Sequence, residues 1–307
     1  MLSDKPVEIP AGLLTRAQRC TPLQAVVANA GSRVVLESAK LAMDYGLLVP
    51  TLVGEASVID REAHALGWDL SAVRTVPAAD EHEAARTAVA LVRDGEGDAL
   101  VKGDVHTDVL LRAVLDKSRG IRTESLLSHV FHMTVPGSDQ SLCITDAVLN
   151  VLPTLAQKQA ILENAITLLH ALGNPDPKIA LLSAAETVST AMPSSVEAAA
   201  LRDWAQTHRL NATVDGPLAF DLAVSPEAAT IKGLQSAVAG RSDALLVPNI
   251  ETGNALFKMM VYFQAASAAG IVLGARVPIM LTSRADPPAA RVASAALALV
   301  SAHHAKA

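Results

Sequence analysis

Four short stretches of this 307-residue sequence gather side chains suited to holding an anion. ALVKGDVHT supplies Lys102, Gly103, His106 and Thr107, and ATVDGPLAFD supplies Asp215, Gly216 and Asp221. LLVPNIETGNALFK supplies Glu251, Gly253, Asn254 and Lys258, and IMLTSRAD supplies Ser283, Arg284 and Asp286. Each stretch opens with a short apolar run, and open α/β sheets bind ligands just beyond the carboxyl ends of such strands. Backbone amides, hydroxyls, small residues and fixed cations are the ingredients of a phosphate or carboxylate site. Asn254 and Lys258 lie one helical turn apart and share a face, while Gly253 admits a ligand close to the helix start. An equally good reading makes Thr252 or Asn254 an N-cap with an ordinary lysine below it. Asp215 and Gly216 likewise form either a ligand-facing turn or a structural one.

Other chemistries find little support. No GxGxxG follows a strand, and there is no P-loop or GxSxG elbow. His129 and His132 in HVFH have roughly metal-like spacing, but no acid or cysteine adjoins them; they read as polar residues near a strand end, and no metal is expected. Two cysteines, Cys20 and Cys143, cannot build a disulfide framework or a four-cysteine zinc site. A net charge of -6 and 3% aromatic residues argue against nucleic acid, which calls for basic surface and stacking platforms. The opening MLSDKPVEIP carries two acids and no apolar run, and Arg276 interrupts the apolar stretch from Ala265 to Thr282. A soluble, cytoplasmic protein without membrane contact is therefore expected.

The elements that must position these residues alternate. Strand-like LQAVVAN, TLVG, VRTVP and ALVKG are separated by helical patterns over 32–45, 55–66 and 81–93, with another helix from Thr107. SLCITD, KIALLS, ATVDG, DALLVPN and VPIMLTS continue the strands. Helices are predicted over 155–172, 195–208, from 219, over 252–269 and over 287–302. This alternation predicts an α/β fold with largely parallel sheets. Half the residues are hydrophobic, so the core is aliphatic, and no internal repeat or long linker is visible. Two lobes are expected, the first block ending near Pro136 and Gly137, with a cleft at their junction.

Five stretches in order, HTDVLLRAVL, LLSHVFHM, TDAVLNVLP, DGPLAFD with LLVPNIETGNALFK, and VPIMLTSRAD, carry a resemblance to the phosphate acetyltransferase and phosphate butyryltransferase family over nearly the whole chain. SRAD and LVKGDVHT resemble the butyryltransferase-like branch and the acyltransferase part of enoyl-CoA hydratase fusions; no hydratase module is present. The resemblance implies an architecture similar to isocitrate and isopropylmalate dehydrogenases, with the chain returning to its first lobe so that 1–136 joins 285–307 and 137–284 forms the second, and a homodimer. It also implies transfer of a short acyl group, acetyl first, between phosphate and coenzyme A in a ternary complex. Coenzyme A, acyl phosphate and inorganic phosphate are then the partners, coenzyme A is a substrate, and no cofactor is needed.

The resemblance also assigns roles. The family's arginine five residues after a threonine falls on Arg112, counted from Thr107, and would grip phosphoryl oxygens with its planar fork. Taken alone, Arg112 reads as the i,i+4 partner of Asp108. Ser283 and Arg284 match the family's serine–arginine pair, Arg284 neutralising phosphate and Ser283 bonding the acyl carbonyl or the thiol sulfur. Ser128 matches the second serine of a serine-serine-x-phenylalanine stretch, although His129 follows it; its plain reading is a buried hydroxyl. The better-known acetyltransferases carry an aspartate seven residues after the motif serine, where this sequence has Ala290. Asp286 is the nearest acid, as proton acceptor or as helix cap. Neighbouring cations also lower a thiol's pKa, which lightens the demand for a base. Two rivals accompany this reading: a non-catalytic acyl-CoA or acyl-phosphate sensor, and a metal- and nicotinamide-dependent decarboxylating dehydrogenase of the same architecture.

Overall fold

The computed structural model describes residues 2–138, 140–281 and 286–306. It begins with α1 (Ala11–Ala17), β1 (Leu23–Ala28), α2 (Arg33–Asp44), β2 (Leu48–Gly54) and α3 (Ala56–Ala65). Then come β3 (Arg74–Pro77), α4 (Glu81–Arg93), β4 (Ala99–Lys102) and α5 (Thr107–Leu115). A second series holds β5 (Ser128–Thr134), β6 (Ser141–Thr145), α6 (Leu155–Ala171), β7 (Lys178–Leu182), α7 (Pro193–Thr207) and β8 (Thr213–Leu218). It closes with α8 (Phe220–Val224), α9 (Pro226–Ile231), β9 (Ala244–Leu246) and α10 (Ile250–Gln264). The last elements are β10 (Ser267–Leu273), β11 (Ile279–Met280) and α11 (Pro288–Lys306).

The chain divides into two compact units, Val7–Ser125 with Ser267–Ala307, and Met1–Pro6 with Leu126–Ala266. Boundaries read from the sequence at 136 and 284 differ from these. β5 falls in the second unit because it pairs antiparallel with β6, Val130 opposite Thr145. β10 falls in the first because it pairs with β11, Val272 opposite Ile279.

In the first unit the strands run in the order β3-β2-β1-β4-β11-β10. All neighbours are parallel except β10 and β11. The chain moves outward from β1 to β3, then returns to β4 on the other side of β1, so the winding direction reverses between β1 and β4. In the second unit the order is β5-β6-β9-β7-β8, parallel except for β5 with β6. The fold is thus α/β with mostly parallel pairing.

Local chemistry explains the helix boundaries. Asp80 caps α4 by accepting from the Glu83 N–H at 2.8 Å, and the Glu83 carboxylate reaches back to the Ala79 N–H at 2.7 Å. Thr154 and Gln157 form a reciprocal capping box on α6. The core is aliphatic: Val27, Leu36, Leu52 and Ile59 cluster with a single tryptophan, Trp68. The helix expected over 252–269 is shorter. Ala265 takes a left-handed backbone (φ 53°) and ends α10, and the Ala/Gly-rich stretch after it is strand β10. Among the described residues, no helix is long and apolar enough to cross a membrane.

Candidate active site

On the first unit, β4 delivers the chain to α5. Gly103 is required by backbone approach: a Cβ there would stand 2.4 Å from the Ala28 carbonyl oxygen and 2.5 Å from that of Asn29. Its smallness therefore seats β4 against β1. The α5 N-terminus is partly occupied by the protein itself. Glu81 accepts from the His106 N–H at 2.9 Å and lies 2.9 Å from its Nδ1, and these bonds hold the Glu81 carboxyl below its ordinary range. Thr107 opens α5 and is exposed. Arg112 stands in the last turn with its side chain 79% exposed, paired to Asp108 at 2.9 Å. The i,i+4 pair exists, but so exposed a pair holds a guanidinium only weakly.

Asp286 is half-buried ahead of α11, and its charge supports that of Arg291, whose pKa burial lowers. Ala290 is 4% exposed on the packed face of α11. A carboxylate at that position would be buried here. Ser283 and Arg284 lie outside the described residues.

On the second unit, His129, Thr145 and Asn150 gather around Asp146, which is 2% exposed. Its Oδ1 accepts from the N–H groups of Val148 (2.8 Å) and Leu149 (2.9 Å). Its Oδ2 accepts from the His129 N–H (3.0 Å) and from Asn150 Nδ2 (2.6 Å). Thr145 Oγ1 donates to the His129 carbonyl at 2.9 Å. Ser128 is fully buried, and Asn164 Nδ2 donates to its hydroxyl at 2.8 Å. That is the buried-hydroxyl reading of Ser128, with a side-chain amide in place of backbone as partner.

Gly253 and Asn254 join the same turn. A Cβ on Gly253 would meet the Asp146 carbonyl at 2.9 Å and Ala147 Cβ at 3.0 Å, so this glycine lets α10 pack. Asn254 Nδ2 reaches the Ala147 carbonyl at 3.4 Å. The cap of α10 is neither Thr252 nor Asn254: Asn249 accepts from the Thr252 N–H at 3.0 Å. Lys258 is exposed, with its ammonium 5.9 Å from the Phe257 ring centroid. The structure thus brings Gly253 and Asn254 to the Asp146–Ala147 turn, while Ser128 is held by Asn164.

Asp215 and Gly216 are elsewhere on this unit and are structurally engaged. Asp215 Oδ2 accepts from the Ser236 hydroxyl, and Oδ1 from the Gly216 N–H at 2.8 Å. A Cβ on Gly216 would lie 2.6 Å from Leu181 Cβ, and Arg202 Nη1 donates to its carbonyl at 3.0 Å. Asp221 and Glu251 are exposed. His129 and His132 are both buried on β5, and three residues along a strand send them to opposite faces. Burial lowers both rings to about 4, a fall that the Asp146 charge opposes for His129. Among the described residues, no cluster of three His, Cys, Asp or Glu side chains could hold a metal ion. Sequence reasoning missed Asp146, Asn150 and Asn164. Asp146 accepts from N–H groups two and three residues on in TDAVLN, the turn habit of an aspartate that could have marked it.

A family model described as phosphate acetyl/butaryl transferase matches residues 81–299. The chain belongs to that family. A phosphate acetyltransferase of Rhizobium meliloti is 45% identical over 93% of this chain and 91% of its own length. A probable phosphate butyryltransferase of Bacillus subtilis (strain 168) is 40% identical over 89% of this chain and 91% of its own. Among solved structures, a branched-chain phosphotransacylase from Enterococcus faecalis V583 is similar with a TM-score of 0.83 and 33% identity, covering 92% of this chain and 99% of that one. On the first unit the Arg112 guanidinium is exposed on α5 and on the second unit the Lys258 ammonium is exposed on α10, while Gly103, Gly216 and Gly253 each pack against the protein's own atoms.

Proposed function

We propose that this phosphate acyltransferase moves a short acyl group, acetyl first, between phosphate and coenzyme A in a ternary complex. Family membership supports the reaction, and the observation that carries it to this site is the Arg112 guanidinium, 79% exposed on the helix that follows β4. The coenzyme A thiolate adds to the acyl carbonyl, the C–O bond to phosphate breaks, and inorganic phosphate leaves with the electron pair. Arg112 and Arg284 take up the negative charge on the phosphoryl oxygens, where bidentate guanidinium contacts are strongest. Ser283 donates to the carbonyl oxygen as the tetrahedral centre forms. Thr107, Asn254 and Lys258 bind substrate, with Lys258 suited to a coenzyme A phosphate. Gly253, packed on the Asp146–Ala147 turn, positions Asn254, Ser128 supports β5, and Asp215 with Gly216 shapes the β8 end.

The reading includes two lobes with the active site in a cleft between them, similar to isocitrate and isopropylmalate dehydrogenases, a homodimer, a cytoplasmic location, and no cofactor beyond the substrates. With Ala290 apolar and packed, proton removal falls to Asp286 or to a thiol already acidified by arginines. Asp286→Asn is expected to keep near-normal turnover if cations suffice; a loss beyond tenfold assigns the base to Asp286. The whole reading is tested by mixing acetyl phosphate with coenzyme A and following thioester formation. Coenzyme A binding by calorimetry without any thioester would leave a sensor in place of an enzyme.

A further inference from the structure

The transfer proposed above removes a proton from the coenzyme A thiol, and that proton needs an acceptor. A thiol acidified by arginines releases it more readily but still has to hand it on. The Ala290 methyl accepts nothing, and the charge of half-buried Asp286 already bears on Arg291. On the first unit another acceptor stands where β4 gives way to α5, beside the point at which the winding reverses and doubly wound sheets take ligands. There the His106 side chain, 72% exposed, places Nδ1 3.0 and 2.9 Å from the two oxygens of Glu81.

The surroundings hold this imidazole in one place. Glu81 also accepts from the His106 N–H at 2.9 Å, so one carboxylate pins both ring and main chain. The loop before it is fixed as well. Gly103 and Asp104 donate their N–H groups to the Ala28 and Asn29 carbonyls at 3.0 and 2.8 Å, Asn29 Nδ2 donates back to the Asp104 carbonyl, and Val105 is buried. A carboxylate only accepts, so Nδ1 carries the ring hydrogen and Nε2 presents its lone pair. Among the described residues Nε2 has no hydrogen-bond partner. The His106 N–H and then its ring hold the Glu81 carboxyl below the ordinary range. It therefore stays ionised and steadies the imidazolium that forms when Nε2 takes a proton. Arg112 is close by: helical side chains lean toward the N-terminus, and the 2.9 Å pair with Asp108 brings that guanidinium back to the first turn of α5, which His106 immediately precedes.

The geometry points to His106 as the catalytic base of the transfer, with Glu81 as the positioning residue behind it. Nε2 takes the thiol proton as sulfur bonds to the acyl carbon, the C–O bond to phosphate breaks, and phosphate leaves with the electron pair. In the reverse direction the imidazolium returns the proton to the departing thiolate. The assignment rests on the function proposed above.

Thioester formation from acetyl phosphate and coenzyme A in the full-length protein tests it. His106→Ala should lower kcat about a hundredfold and keep KM for acetyl phosphate within about twofold. Its urea midpoint should stay at the wild-type value, because the bond from the backbone N–H to Glu81 survives the substitution. Added imidazole should restore kcat in His106→Ala saturably and leave the wild type unchanged. Glu81→Gln should lower kcat about tenfold in the wild type but less than about twofold in His106→Ala, since its effect passes through the ring. A kcat for His106→Ala within about twofold of wild type, a loss that imidazole never restores, or an equal Glu81→Gln loss in both backgrounds overturns the assignment and leaves the transfer standing. A wild-type protein that forms no thioester overturns the function itself and leaves His106 without a proton to take.

Discussion

Two polar regions of this molecule look alike in sequence and differ in what surrounds them. Around Asp146 on the second unit, buried hydroxyls and a buried carboxylate meet half-buried amides, and they spend their hydrogen bonds within the protein. Along α5 on the first unit, Thr107, Asp108 and Arg112 face solvent, and the one charge pair is exposed on both partners, 79% and 62%. The first arrangement fixes a turn and is expensive to disturb. The second contributes little to stability and leaves its cation able to exchange a surface aspartate for a substrate oxygen. Side chains that read equally as ligands are thus divided by burial into those that hold the fold and those able to meet a substrate.

The largest effect that tests this contrast is the loss of Asp146. Removing a carboxylate that accepts four hydrogen bonds in the interior should cost about 3–5 kcal/mol, read from urea unfolding. An Asp146→Ala protein within 1 kcal/mol of wild type would dissolve the distinction.

Acid comes next. His129 and His132 are held neutral by burial with pKa values of about 4, against about 6.5 when unfolded. Below the unfolded value the unfolded chain binds more protons, so the stability from each ring is present above about 6.5 and is lost as pH falls toward about 4. Each ring accounts for up to about 3 kcal/mol over that window. A urea midpoint unchanged between pH 7 and pH 4.5 would show that these rings are not sealed from water.

On α5 the expectation inverts. Arg112→Gln should lower kcat/KM about a hundredfold while shifting stability by less than about 0.5 kcal/mol. Full activity in this variant would return Arg112 to an ordinary surface pair. The smallest effect belongs to Asp108→Asn, which breaks the same pair and should cost only a few tenths of a kcal/mol without loss of turnover.

Much of the architecture was legible because hydrophobic period and cap chemistry agree, as at α4, where Asp80 and Glu83 close the helix start. β10 was not, because an alanine- and glycine-rich strand has no alternation and the helix before it ends on Ala265 without a glycine to announce the stop. Arg112 could be singled out through its motif. The glycines misled for a physical reason: a missing Cβ makes room equally for a ligand or for the protein's own backbone, and at 103, 216 and 253 the neighbour is the protein itself. Nor could the sequence order reveal that His129, next to Ser128, and Asn254 both bond the Asp146–Ala147 turn, since Asn254 is distant from that turn in the chain.

The pairing of β11 with β4, Met280 beside Val101, has a kinetic consequence. Met280 is made only after every residue of the second unit. A ribosome-bound chain therefore carries the 7–125 segment with β4 lacking its β11 neighbour and with α2 unmatched by α11. Joining strands so far apart along the chain slows folding, and until they join, the nascent segment exposes an unpaired strand edge. Synthesis in the presence of a chaperone that covers such edges should raise the yield of folded protein more than the same chaperone does when added to a refolding reaction.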